Sequence, residues 1–229
     1  MAKNYLDIIK TQREEKKKEK FEGTFLEYLS LVEKDPTLTD HAHKRLYDSI
    51  AEEGISRMDD SDPRKHKLFD GDNIKTYDYF QSEFFGMESV ISKLMRFLRS
   101  AALKGEESRQ VLLLMGPVGA GKSALTEHIK SALDGKPYYH LKNDPQRGEP
   151  LQLVPRSLRN KFNDMLDVNI EGDLSPVARH LLFEEYDGRY EDFMVKETTF
   201  SQRARRGVAS VPPMDANSQD VSVPIGSED

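Results

Sequence analysis

An α/β fold, in which helices flank a parallel sheet, is the fold class that the sequence predicts. Three observations lead to it. The apolar run over residues 111–115 has the composition of a strand that is covered on both faces. A glycine-rich segment follows this run directly, and a helix-forming segment comes next. Several other stretches repeat their apolar residues every three or four positions, which is the spacing of an amphipathic helix.

The composition limits the kind of protein and its partners. The chain has 229 residues, of which 37% are hydrophobic and 32% charged, a balance that suits one packed core with solvated helices. Its net charge of −6 argues against nucleic acid as a partner, because phosphate-backbone binding requires a surplus of cations. The absence of cysteine excludes disulfides and thiolate metal sites. With no long apolar stretch and no secretory leader, we expect a cytoplasmic protein with no membrane partner.

The first part of the chain is predicted to be helical. Residues 5–20 end in a run of mixed charges that is typical of a solvated helix. Thr24 is the predicted N-cap of a second helix, which ends near residues 35–36. The apolar face of that helix consists of residues three or four apart: Phe25, Leu29 and Val32. A third helix is predicted over residues 43–50, with Gly54 just beyond its end.

A polar stretch separates this region from the rest. Residues 58–79 are rich in turn formers and are predicted to form a loop or linker, which places a domain boundary near residue 80. Residues 1–80 are then a helical N-terminal region with a charged helix and a polar linker. Residues 81–229 are the predicted nucleotide-binding domain, incomplete at its C-terminus. It begins with a helix whose broad apolar face, within residues 90–98, is expected to pack on the sheet.

The glycine-rich segment matches the pattern G-x-x-x-x-G-K-[ST] in its required position between a strand and a helix. It consists of Gly116, Pro117, Val118, Gly119, Ala120, Gly121, Lys122 and Ser123. Glycines let such a loop wrap tightly, so that backbone N–H groups and the helix dipole face phosphate oxygens. Lys122 is expected to reach the β- and γ-phosphates, and the Ser123 hydroxyl to coordinate Mg²⁺. The sequence therefore predicts ATP and magnesium as cofactors of a P-loop NTPase fold.

Turnover of the nucleotide needs more than this loop, because an acidic residue at a strand end must hold the metal ion. Residues 181–185 resemble such a strand superficially. The Ser175-Pro176 start and the spacing of Val177 and Leu181 instead favour a helix there. A strand is predicted over residues 192–200, but basic residues follow it. The catalytic residues therefore stay unassigned.

The basic residues after that strand are Arg203, Arg205 and Arg206. A solvated basic turn before Gly207 accounts for them most simply. Contact with a nucleotide or with a neighbouring subunit is the alternative. The tail over residues 211–229 contains prolines, serines and aspartates with little apolar periodicity, and it ends without a recognisable closing element.

Several ordered stretches together resemble one family. They are residues 21–25, 84–88, 113–118, 149–155 and 215–220, the last ending in Ser218-Gln219-Asp220. On these stretches the chain resembles the N-terminal part of the bacterial PrkA-type serine protein kinases, which carry an AAA+ ATPase module. The phosphate-binding loop alone would indicate only a nucleotide-binding superfamily. Its combination with the other stretches, which span nearly the whole chain, makes the resemblance specific.

The resemblance implies a cytoplasmic bacterial protein of stress or starvation physiology, with an AAA+ core and a serine/threonine kinase activity of the full-length family. It also implies a protein substrate or partner, and homo-oligomers by analogy. Family members continue well past the position of Asp229, and their second nucleotide motif and kinase region lie there. On this chain alone we therefore expect an incomplete sheet and nucleotide binding without turnover.

Two other interpretations stay open. The chain could be a non-catalytic interaction module in which ATP shifts the population of a binding-competent state. A complete acidic metal site would distinguish an enzyme from such a module. The chain could also be an unrelated P-loop kinase that acts on a small molecule, since a compact domain of about 200 residues is sufficient for that class. That interpretation predicts saturable turnover with a small acceptor and leaves the matches outside the loop unexplained.

Overall fold

A computed structural model of the chain describes residues 20–59, 61–62 and 74–211. The predicted helix over residues 5–20, apart from its last residue, and nearly all of the C-terminal tail lie outside these ranges. The described residues group into two compact units. The first combines the residues up to Ala42 with Pro137–Thr198, and the second combines His43–Lys136 with the residues from Thr199 onward. The domain boundary near residue 80 stays a prediction.

The described part of the chain contains helices and strands in mixed order. In chain order the elements are β1 (Glu22–Thr24), α1 (Phe25–Lys34), α2 (Ala42–Ala51), β2 (Ile55–Arg57), β3 (Lys75–Tyr77), α3 (Asp78–Gln81), α4 (Glu88–Ala102), α5 (Lys122–Ser131), β4 (Pro137–Leu141), α6 (Arg159–Leu166), α7 (Pro176–Glu184) and β5 (Met194–Thr199). Short 3₁₀ turns lie at Pro36–Thr39, Glu106–Arg109, Pro150–Leu153, Arg156–Leu158 and Tyr190–Asp192. None of the helices within the described ranges is long and apolar enough to cross a membrane.

Helix α1 begins as its sequence predicts. Thr24 is the N-cap, and its Oγ1 accepts a hydrogen bond of 3.3 Å from the backbone N–H of Glu27. The Glu27 carboxylate in turn accepts one of 2.7 Å from the backbone N–H of Thr24, which completes a capping box. The fully buried face consists of Phe25, Tyr28 and Val32, whereas Leu29 packs on the edge of the core. The predicted helix and cap are confirmed.

The first unit is built on a three-stranded sheet with the strand order β1-β5-β4. Strands β1 and β5 are antiparallel, with Gly23 opposite Val195. Strand β4 also runs antiparallel to β5, because Lys142, just after β4, donates a backbone hydrogen bond to Met194, the first residue of β5, whereas Lys136, just before β4, accepts one from Phe200, just after β5. The completely inaccessible side chains that α1, β4 and the residues around the start of β5 contribute to this core are Phe25, Tyr28, Val32, Leu141, Phe193 and Val195.

The second unit contains a two-stranded antiparallel ribbon of β2 and β3, with Ile55 opposite Tyr77. Its core joins this ribbon to the helices α2, α3, α4 and α5, through Ile50, Tyr77, Phe80, Met95, Leu98 and Leu125. The loop predicted over residues 58–79 extended too far, because β3 and the start of α3 occupy its last part. The sequence did not predict β3 because its residues are mostly polar, and only Tyr77 among them is buried.

The strand predicted over residues 111–115 is wrong for this structure. These residues form no strand, and Val111 and Leu113 are 93% and 74% exposed. A strand exists only when its backbone pairs with a neighbour, and no segment in the described ranges hydrogen-bonds to this backbone. The predicted parallel sheet is likewise not formed there, because the strands described above pair antiparallel.

Candidate functional site

The phosphate-binding loop predicted over residues 116–123 needs glycine at two positions for conformational reasons. Gly119 and Gly121 have φ angles of 81° and 77°, in the left-handed region that strains other residues. A Cβ atom on Gly119 would meet no atom within 4 Å, so backbone conformation rather than crowding requires glycine there. A Cβ on Gly116 would make ordinary contacts of 3.8 Å with Ala120 and Lys122. Backbone strain therefore does not explain Gly116.

Lys122 is the first residue of α5, and its side chain reaches back over the loop. Its Nζ donates hydrogen bonds of 2.8 Å to the Gly116 carbonyl and 2.6 Å to the Pro117 carbonyl. The Lys122 side chain is therefore hydrogen-bonded to the loop, and its positive charge lies at the N-terminus of α5. The exposed Val118 lies at the tip of this loop.

The loop also offers hydrogen-bond donors. Among the described contacts, the backbone N–H groups of Gly119, Gly121 and Ser123 have no acceptor. They lie at the N-terminus of α5, where N–H groups lack partners within the helix and the helix dipole favours an anion. The Ser123 side chain is exposed on the same turn. A cation, free N–H donors and a hydroxyl are thus present together, and this set fits a phosphate with its Mg²⁺.

Helix α5 is held firmly behind the loop. Leu125 is 2% exposed and packs in the core of the second unit, where Ala132 is also buried. The ring of His128 lies against Tyr79, Phe80 and Phe84, with centroid distances of 4.4, 5.6 and 5.3 Å. The Tyr79 hydroxyl donates a 2.6 Å hydrogen bond to the His128 carbonyl. The loop therefore stands on a helix that is anchored along its length.

Residues 181–185, which resemble an acidic metal-binding strand only superficially, lie in a helix and the residue after it. Ser175 caps α7, and its hydroxyl accepts a 2.9 Å hydrogen bond from the Ala178 N–H. The predicted helix is confirmed, but its buried residues are Ala178 and Leu182, and Val177 is exposed. The strand predicted over residues 192–200 is confirmed as β5.

The three arginines after β5 lie in a tight turn. Ser201 and Arg206 exchange backbone hydrogen bonds of 2.9 and 3.0 Å, and the Gln202 N–H donates to Asp134 at 3.1 Å. Arg203 and Arg205 are exposed on this turn, and Arg206 is half-buried. The arrangement agrees with the solvated basic turn that the sequence favours.

The structure shows a buried carboxylate that sequence reasoning missed. Asp144 follows β4, and its oxygens accept hydrogen bonds of 2.9 Å from the Ser175 hydroxyl and 2.7 Å from the Gly148 N–H. It therefore ties the end of a strand to the start of α7. The turn-forming Asn143-Asp144-Pro145 sequence was the available signal. Within the described ranges, no three or more His, Cys, Asp or Glu side chains gather to form a metal site.

Comparison with known proteins places the chain in a family. The model of the PrkA AAA domain matches residues 23–229. The chain belongs to the PrkA AAA domain family. This confirms the resemblance seen in the sequence, and the chain is an AAA-type domain of mixed helices and strands.

Several curated proteins are similar to the chain. It is 35% identical over 234 residues to the ATP-dependent protease PrkA of Bacillus subtilis (strain 168), which covers 98% of this chain and 35% of that protein. It is 32% identical over 235 residues to the serine/threonine kinase YeaG of Escherichia coli (strain K12), covering 99% of this chain and 36% of that protein. The chain thus spans about a third of the length of these relatives. No solved structure gave a significant match.

A shorter match involves the mitochondrial Lon protease homolog of Yarrowia lipolytica, which is 34% identical over 61 residues. That match covers 27% of this chain and 5% of the Lon homolog. The names of these relatives therefore describe two chemistries, proteolysis and kinase activity.

Proposed function

We propose that the chain is the ATP-binding module of a PrkA-type protein, and that residues 116–123 bind the triphosphate of ATP together with Mg²⁺. The observation that carries this proposal is the position of Lys122. Its ammonium lies over a loop whose glycines adopt positive φ angles at the start of α5. Phosphate oxygens are better acceptors for this ammonium than the two loop carbonyls, because they carry a full negative charge.

Each part of the loop has a separate task in this proposal. Lys122 exchanges its loop carbonyls for the β- and γ-phosphate oxygens and neutralises part of their charge. The N–H groups of Gly119 and Gly121 donate to the remaining phosphate oxygens. The Ser123 hydroxyl would contribute an oxygen ligand to Mg²⁺, and the bound ion would neutralise part of the phosphate charge. The fold proposed for this domain is that of the P-loop NTPases.

Phosphoryl transfer or hydrolysis is proposed only for a longer protein that includes this module. The relatives are named an ATP-dependent protease and a serine/threonine kinase, and both activities draw on ATP. Binding of ATP is therefore the requirement that they share. For the longer protein we favour serine/threonine kinase activity in the cytoplasm, as the family resemblance implies.

The rival function, a non-catalytic module gated by nucleotide, has one observation in its favour. The described residues do not gather a cluster of acidic or other metal-binding side chains. Such a module would bind ATP without releasing phosphate, both alone and within a longer protein. The matches along almost the whole chain weigh against an unrelated small-molecule kinase.

Calorimetry with Mg-ATP tests the binding proposal on the chain itself. Replacing Lys122 by alanine removes the hydrogen bonds of an ammonium to phosphate, which are worth about 2 kcal/mol, so binding should weaken roughly thirtyfold. Lys130→Ala is the matched control, because Lys130 lies at the other end of α5 and pairs with Glu127 and Ser210. Phosphate release is measured in the same samples.

The outcomes separate the interpretations. Binding that Lys122→Ala weakens and Lys130→Ala preserves, without phosphate release, would support a nucleotide-binding module. Steady phosphate release would show that this chain contains an acidic site of its own. Equal weakening by both substitutions would contradict the assignment of the loop, as would the absence of binding by a folded chain.

A further inference from the structure

The first unit carries an open groove of about 350 Å³ that lies apart from the phosphate-binding loop in sequence. One wall is the segment 152–159, which contains the turn Arg156–Leu158, and the other includes α7. The apolar part of its lining consists of Leu153, Val154, Leu174, Leu182, Phe183 and Tyr190. None of the functions considered above uses this groove.

The charged part of the lining has an excess of cations. Arg156, Arg159 and Arg179 line the groove together with one carboxylate, that of Asp173, so three positive charges less one negative charge leave +2. The whole chain carries −6. A local charge opposite to that of the protein attracts an anionic partner and orients it.

Two of these arginines already contact other groups of the chain, and Arg159 is largely buried by them. Arg159 has only 14% of its side chain exposed, and it donates hydrogen bonds of 2.8 Å to the Gly172 carbonyl and 3.2 Å to the Val154 carbonyl. Arg156 donates from Nε to Asp173 at 3.1 Å and makes a second contact with the same carboxylate. A side chain fixed as that of Arg159 is loses little conformational entropy when it binds, whereas the Arg156 side chain is 77% exposed.

The third arginine is available for a partner. Arg179 is exposed on α7, where its backbone N–H donates to the Ser175 carbonyl, and its side chain makes no ion pair or hydrogen bond with the residues that the structure describes. Phe183, one turn further along the same helix, is 63% exposed although its neighbour Leu182 is buried. A cation and an aromatic ring four positions apart lie on the same side of a helix. Covering such an aromatic side chain is a common source of binding energy at interfaces.

We infer that this groove binds an acidic segment of a protein partner. An aliphatic or aromatic side chain of the segment packs against Phe183 and the apolar lining, and flanking carboxylates pair with Arg179 and with the free N–H groups of Arg156. The charge of the groove selects the partner, because carboxylates complement the +2 excess. Nucleic acid is disfavoured, because a phosphate backbone requires an extended surplus of cations and the groove has an excess of only +2.

The test uses the chain with a short fluorescein-labelled peptide that alternates leucine and glutamate, read by fluorescence anisotropy. The comparison peptide has glutamine in place of every glutamate. Arg179→Glu reverses the charge of a side chain without described partners, so the fold should survive, and binding of the acidic peptide should weaken about tenfold. Arg203→Glu makes the same charge change at an exposed turn of the other unit and should change binding less than about twofold.

A second variant separates the apolar contribution from the charge. Phe183→Ala should weaken the acidic peptide while leaving the salt dependence of its binding unchanged, because it removes only apolar contact. Loss on Arg179→Glu and on Phe183→Ala, retention on Arg203→Glu and preference for the acidic peptide would support the inference. Equal binding of the two peptides would overturn it. So would equal losses in the two charge variants, or no saturable binding by the folded protein below about 1 mM peptide.

Discussion

Gly121 precedes α5 with φ and ψ of 77° and 7°, a conformation that costs an L-residue about 1 kcal/mol. Gly116 has no such angle, and a Cβ there would make only ordinary contacts. We therefore expect Gly121→Ala to lower the free energy of unfolding by about 1 kcal/mol and Gly116→Ala to leave it nearly unchanged. Urea unfolding of the two variants measures this. Equal losses would show that backbone conformation does not distinguish the two glycines.

His140 provides a prediction of pH dependence. It is buried in β4, with Nδ1 2.9 Å from the Leu141 carbonyl, and burial lowers its pKa below the usual value of about 6.5. The unfolded chain then takes up a proton at a higher pH than the folded chain. The stability of the protein should therefore fall as the pH drops below about 6.5, until the folded pKa is passed.

Replacing His140 by glutamine should remove this component of the pH dependence. The check is the urea midpoint of the wild-type chain and of the variant, measured between neutral and mildly acidic pH. His180→Gln, at an exposed position of α7, is the control and should retain the wild-type slope. A His140→Gln profile that runs parallel to the wild-type profile would contradict the assignment.

At the scale of elements, α5 connects the candidate site to the core of the second unit. Leu125 is nearly inaccessible and contributes the central contact. Leu125→Ala should cost about 3 kcal/mol of unfolding free energy, because it removes buried methyl groups and leaves a cavity. The exposed Leu103 is the matched control, and Leu103→Ala should cost well under 1 kcal/mol. Chemical denaturation of both variants measures the two free energies of unfolding. Comparable losses of stability in the two variants would argue against an anchored α5.

The helices could be predicted because their signals are local. Thr24, Phe25 and Val32 identify α1 by a cap and an apolar spacing, and Ser175 with Pro176 identifies the start of α7. These signals concern residues within a few positions of one another. A helix satisfies its own backbone hydrogen bonds, so local sequence is sufficient to place it.

Local sequence was not sufficient to decide whether residues 111–115 form a strand. Their apolar composition indicates that the segment prefers burial. A strand also needs a neighbouring strand to pair with, and no local pattern gives the position of that neighbour. In the described structure the backbone of these residues is unpaired, and all of them except the half-buried Leu114 are exposed. For β3 the prediction was wrong in the opposite sense. Its mostly polar residues predicted a loop, whereas the structure pairs this segment with β2.

On the scale of the whole molecule, the missed features combine segments that are distant in sequence. The first sheet pairs Gly23 with Val195, and the cationic groove joins Arg156 and Arg159 to Asp173 and to residues of α7. Spacing within one segment carries no information about such contacts. The predicted phosphate-binding loop differs, because all of its parts are adjacent in the chain. For this reason its residues could be listed from the sequence, whereas the groove required the structure.

The central claim is that ATP binds at residues 116–123, and hydrogen–deuterium exchange with and without Mg-ATP tests it most directly. The N–H groups of Gly119, Gly121 and Ser123 have no acceptor among the described residues, so they should exchange rapidly in the free chain. We expect Mg-ATP to slow exchange at these amides more than anywhere else, because phosphate oxygens become their acceptors. Nucleotide binding that leaves these amides unprotected, or that protects only another part of the chain, would contradict the account.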